Sequence, residues 1–110
     1  MKFSYLIVPA VLFTTAVGVV QAETPQFQLV IKDHRFSPTN LEIPANQKVK
    51  LVIENQDATP EEFESHDLNR EKIIPGKSKA IVYVGPLKPG TYKFFGEFNP
   101  KTANGTLTVK

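Results

Sequence analysis

Three side chains able to bind cations recur at every second residue in one stretch of this chain: Glu62, Glu64 and His66, within Glu61-Glu62-Phe63-Glu64-Ser65-His66. In an extended strand this spacing puts all three on one face and Glu61, Phe63 and Ser65 on the other. Two carboxylates and an imidazole on an exposed strand face are chemistry for an iron or copper ion. The reach is limited, however. Alternate side chains stand roughly 6.5–7 Å apart along a strand. Two long glutamates can converge on one ion, whereas a third residue in line needs a bend. Further ligands therefore come from elsewhere, and Glu97 and His34 are the candidates. Arg35 and Arg70 offer a competing way to neutralise the acids, through salt bridges, because buried carboxylates without a cation are costly.

Other chemistries are excluded by residue type. There is no cysteine, hence no disulfide and no thiolate ligand. The single methionine is Met1. No Ser-His-Asp arrangement, phosphate loop or nucleotide motif is present, so catalysis by a covalent nucleophile is not expected. The net charge of +2 over 110 residues is too even for nucleic-acid binding to lead. Its distribution is uneven. Glu54 to Glu71 holds seven acids against Arg70, and Lys72 to Lys110 holds seven lysines against Glu97. That pattern reads as an acidic rim that attracts cations or a basic partner, or as two solvated faces.

The elements that must position these residues are short. Residues 1–22 have the form of a signal peptide. Lys2 gives the positive start, Tyr5 to Val20 the apolar run, and Val20-Gln21-Ala22 the small-residue cleavage site. Cleavage before Glu23 leaves one domain, 23–110, in the periplasm. Beyond it no helical periodicity persists. Strands are expected at Phe27 to Lys32, around Leu41 and Ile43, at Lys48 to Asn55, at Ser78 to Val84, at Thr91 to Phe98 and at Thr106 to Lys110. Thr59 to His66 is extended, Asp67 to Lys72 suits one helical turn, and His34 to Asn40 is a turn centred on Ser37-Pro38. Asn104-Gly105 reads as a hairpin turn. Phe27, Phe63, Tyr83, Tyr92, Phe94 and Phe98 are expected in the core. About seven strands with turns every 8–12 residues predict an all-β sandwich or barrel.

The order of these motifs resembles the cupredoxin family. Asn55-Gln56-Asp57 through Phe63 matches a segment ending in a ligand His beside a Phe. Pro75-Gly76 and Ser78 to Val84 match the next turn and strand. Pro89-Gly90-Thr91-Tyr92-Lys93-Phe94-Phe95-Gly96 and Gly105-Thr106-Leu107-Thr108-Val109 match the closing block. The resemblance implies a Greek-key β-sandwich. It also puts Glu61 at the first ligand His, Gly96 at the ligand Cys and Asn99 at the second ligand His, with no axial Met. A blue-copper site needs a thiolate and two imidazoles, so electron shuttling through one is not expected.

Asp33-His34-Arg35-Phe36-Ser37-Pro38 and Glu61-Glu62-Phe63-Glu64-Ser65 are similar to segments of the cupredoxin-like domains associated with bacterial ferrous-iron uptake. That resemblance implies iron binding at Glu62 and Glu64, with copper nearby; read from the residues themselves, Glu97 and either His66 or His34 complete a shell for iron or copper. The resemblance also implies an accessory role beside periplasmic or inner-membrane iron-uptake proteins, assisting Fe(II) oxidation or transfer to a permease. The rival expectation is a metal-free β-sandwich that docks to other proteins, since a fold does not fix a function.

Overall fold

Alternation of apolar and polar residues assigns each strand an inner and an outer face. The computed structural model describes Gly18 and residues 23–110, so the segment 1–22 expected to be a signal peptide lies, Gly18 apart, outside the described residues. Nine strands form and, among the described residues, no helix: β1 (Gln26–Lys32), β2 (Arg35–Ser37), β3 (Asn40–Ile43), β4 (Val49–Asn55), β5 (Glu61–Ser65), β6 (Arg70–Ile74), β7 (Ser78–Val84), β8 (Gly90–Gly96) and β9 (Asn104–Val109). They make two sheets, ordered β2-β1-β4-β7 and β3-β9-β8-β5-β6. The all-β sandwich is as expected from the sequence, with two more strands than expected.

Both additional strands come from hairpins. Lys32 pairs with Arg35, leaving only Asp33 and His34 as the loop. Both loop residues have positive φ, 53° and 55°, the geometry of a tight turn whose twist matches its strands. The turn expected over His34 to Asn40 is therefore split between this loop, β2 and the start of β3. Likewise Asp67 to Lys72 is not a helical turn. Residues 66–69 form a hairpin loop, and β6 returns beside β5 with Glu64 opposite Glu71. The β6 sequence carries no alternation, with Arg70 to Ile73 all exposed and only Ile74 buried.

The core fills the space between the sheets. Leu29 and Ile31 of β1, Val49, Leu51 and Ile53 of β4, Phe63 of β5 and Leu107 of β9 are fully buried. Phe36 was not anticipated there. Its ring meets Phe94 edge-on at 5.0 Å and Phe63 edge-on at 6.2 Å, an arrangement aromatic quadrupoles favour. Two aromatics expected in the core lie outside it: Tyr83 is 44% exposed and Phe98 47%. β8 stops at Gly96, so Phe98 falls in the loop beyond the strand. Asn104-Gly105 is not a turn either. Gly105 pairs with Phe94 across the β8–β9 ladder, and a Cβ on it would lie 2.3 Å from Phe94 Cζ. Glycine is needed there for the ring above it, and the chain turns instead through residues 97–103.

Candidate metal centre

β5 alternates as its period requires. Glu61, Phe63 and Ser65 are buried, while Glu62 and Glu64 are half-buried on the outer face. The β5–β6 register sets Glu71 beside them. One ligand atom from each of Glu62, Glu64 and Glu71 lies within 4.8 Å of the others, so three carboxylates from two neighbouring strands converge without the bend that one strand would need. Among the described residues, this is the group of three or more His, Asp or Glu side chains that comes together. Glu71 was not a candidate from the sequence. The signal was available in the hairpin register, but that required recognising β6 as a strand.

The electrostatics of this face are unbalanced. Glu62 is held above its ordinary value of 4.5, first by partial burial, then by a hydrogen bond with Glu64 and by the charges of Glu64, Glu71 and Glu97. The neutralising arginines do not supply relief. Arg70 donates from Nε to the Tyr83 carbonyl and from Nη1 to the Leu68 and Asn69 carbonyls. Among the described residues, no ion pair links an arginine or lysine to Glu62, Glu64 or Glu71.

The remaining candidates fall in different places. His66 opens the hairpin loop, its Nδ1 4.0 Å from Glu64 Oε1 and its side chain 80% exposed. Its ring rests near Phe95, 5.4 Å between centroids. The loop is pinned beneath it. Ser65 donates its hydroxyl to the Lys93 carbonyl and accepts the Leu68 N–H, and Asp67 accepts the Lys93 N–H. Glu97 flanks the cluster, its N–H donating to the Glu62 carbonyl at 2.9 Å. His34 is drawn elsewhere, to Asp57 Oδ2 at 3.6 Å, and lines a shallow cleft with Phe98, Asn99 and Pro100.

The positions that the cupredoxin resemblance aligns with copper ligands also meet in space. Glu61 Oε2 accepts from Asn99 Nδ2 at 2.7 Å, and a Cβ on Gly96 would lie 2.6 Å from Glu61 Cδ. A carboxylate, an absent side chain and an amide are not the thiolate and imidazoles of blue copper, and the donor set does not fit that metal centre.

Comparison with known proteins gives consistent matches. A family model described as "Cupredoxin-like domain" matches residues 4–109. "Uncharacterized protein RP394" of Rickettsia prowazekii (strain Madrid E) is 46% identical over 84 residues, 76% of this chain and 67% of that protein. Auracyanin A, a "blue" copper protein from Chloroflexus aurantiacus, superposes with a TM-score of 0.69 at 15% identity, covering 80% of this chain and 100% of its own. A purple cupredoxin from Nitrosopumilus maritimus gives 0.58 at 24% identity, over 76% of this chain and 98% of that one. The Cu(I)-bound metal-binding domain of the Streptococcus pneumoniae D39 Cu(I)-exporting P-type ATPase CopA gives 0.66 at 11% identity, over 77% and 84%. At these identities the solved structures share a fold with this chain.

Proposed function

The chain belongs to the cupredoxin-like domain family, and from that premise we propose that it is a metal-binding accessory protein whose ion sits on the Glu62–Glu64–Glu71 face. The observation that carries this is the convergence of three carboxylates within 4.8 Å of one another. An all-oxygen donor set suits hard cations, and among redox metals it favours Fe(III) over softer ions such as Cu(I). A cation there would relieve the mutual repulsion that raises Glu62. Glu97, whose N–H meets the Glu62 carbonyl, and His66, whose Nδ1 lies 4.0 Å from Glu64 Oε1, border the cluster and are the side chains proposed to complete the shell. His34 is not brought to this face.

In this reading the protein is exported by residues 1–22 and works in the periplasm beside a ferrous-iron uptake system. A carboxylate shell that prefers Fe(III) eases loss of an electron from Fe(II) to a separate acceptor, and the exposed face suits hand-over to a membrane permease. Calorimetric titration of the purified protein with Fe(III), with Fe(II) under anaerobic conditions and with Cu(II) tests it. One equivalent of iron should bind, and the Glu62→Gln/Glu64→Gln/Glu71→Gln variant should lose at least tenfold in affinity. If neither metal binds the wild type, the metal-free docking module becomes the better reading.

A further inference from the structure

Glu61 is a carboxylate sealed inside the sandwich, 1% exposed, and no ion pair reaches it among the described residues. Its burial is offset by three N–H donors. Oε1 accepts from the Glu62 amide at 3.0 Å and from the Phe98 amide at 2.9 Å. Oε2 accepts from Asn99 Nδ2 at 2.7 Å. Two of the three donors belong to the connection between β8 and β9, which folds back on itself: the Asn99 carbonyl accepts the Ala103 and Thr102 amides, and the Gly96 amide donates to Ala103. The space above Gly96 is taken, since a Cβ there would lie 2.8 Å from Glu61 Oε2 and 2.7 Å from the Ala103 Cβ.

We infer that the Glu61 carboxylate ties β5 to the β8–β9 connection without any metal, and that it closes to copper the end of the sandwich where the resemblance places a blue-copper centre. Carboxylates held by several N–H donors are well compensated for lost solvation. Here every donor comes from the chain itself. Among the described residues, no buried side-chain nitrogen or oxygen is left without a partner, so nothing at this end awaits a ligand. A copper ion would have to displace Glu61 from its donors and would gain no thiolate, because the chain has none. The Asn99 amide turns its N–H, not a lone pair, towards the centre. The inference is independent of the acidic outer face and survives if that face binds nothing.

Amide hydrogen exchange at Phe98 reads the tie directly, in the purified wild type and in Glu61→Gln, Glu61→Ala and Asn99→Ala. Glu61→Gln keeps an acceptor oxygen and should keep Phe98 within a few-fold of wild type. Glu61→Ala should raise exchange at Phe98 at least tenfold while Leu51 and Ile53 stay as protected as before. Asn99→Ala is the milder change should Glu61→Ala not fold, and a several-fold rise at Phe98 is expected. Unchanged Phe98 exchange in Asn99→Ala, or in a folded Glu61→Ala, would overturn the tie. For the closure, Cu(II) is titrated into the Glu62→Gln/Glu64→Gln/Glu71→Gln variant. No stoichiometric copper that depends on Asn99 is expected. One equivalent bound there and lost on adding Asn99→Ala would falsify the closure.

Discussion

At the residue scale, Glu61 and Glu62 are adjacent acids with opposite fates, because strand alternation sends one inward to three N–H donors and the other outward to three like charges. Glu62 has the testable sign. Its folded pKa is raised above 4.5 by burial, by Glu64 and by neighbouring charge. A group raised in this way contributes stability that is fully present below the unfolded value and is lost as pH rises through the folded value. The metal-free protein is thus strained by Glu62 at neutral pH. Glu62→Gln should raise its urea midpoint at pH 7, and the difference should fade by pH 4. A bound cation reverses the preference and favours the ionised form, so metal affinity should decline with acid above the range of ordinary glutamates. If His66 is a ligand, His66→Ala weakens metal binding at neutral pH. His34→Ala should titrate like the wild type, because His34 sits against Asp57. Should His66→Ala also match the wild type, the shell is carboxylate and water.

At the element scale, the hairpins decide what could be read in advance. β4 was legible because Val49, Leu51 and Ile53 alternate with Lys50, Val52 and Glu54. β5 was legible from the same period, including the inward turn of Glu61. β6 was not, because an edge strand with one buried residue leaves no hydrophobic signature, and Glu71 was missed with it. Phe36 hides in a three-residue strand, too short for a pattern. The β1–β2 loop is fixed from a distance. Asp57 accepts the Asp33 and His34 amides at 2.8 and 3.0 Å. Its carboxyl is held below 3.8, foremost by the His34 N–H and against partial burial. A lowered group contributes stability present above the unfolded value and lost as pH falls through the folded one. Asp57→Asn should cost about 1 kcal/mol at pH 7, the scale of a partly exposed charge-assisted hydrogen bond. Thermal melts should show the gap closing below pH 3.8. Gly105→Ala should cost about 1–3 kcal/mol, as overpacking does, since its Cβ collides with the Phe94 ring.

At the scale of the whole molecule, the sandwich has no disulfide or thiolate to hold it, and its stability rests on one core shared by both sheets. The carboxylate cluster lies outside that core, on one face of a single hairpin. Removing metal should therefore leave the fold intact, and the chelated protein should unfold in one cooperative transition. Binding adds stability only by mass action, RT ln(1 + [L]/Kd), which is about 2.7 kcal/mol when free ion is 100-fold above Kd. For a domain of this size that corresponds to a rise in Tm of roughly 10–20 °C. Iron should produce the rise in the wild type and none in Glu62→Gln/Glu64→Gln/Glu71→Gln, measured by calorimetry at matched free ion. Glu61→Gln separates the two carboxylate systems. It keeps the oxygen that accepts from Phe98 but sets an NH2 against the Asn99 Nδ2 donor, without touching the outer donors, so it should lower the Tm of the metal-free protein and leave the iron-induced rise nearly unchanged. A rise that persisted in the triple variant would place the ion elsewhere. A rise that vanished in Glu61→Gln would mean the inner and outer faces of β5 act as one site.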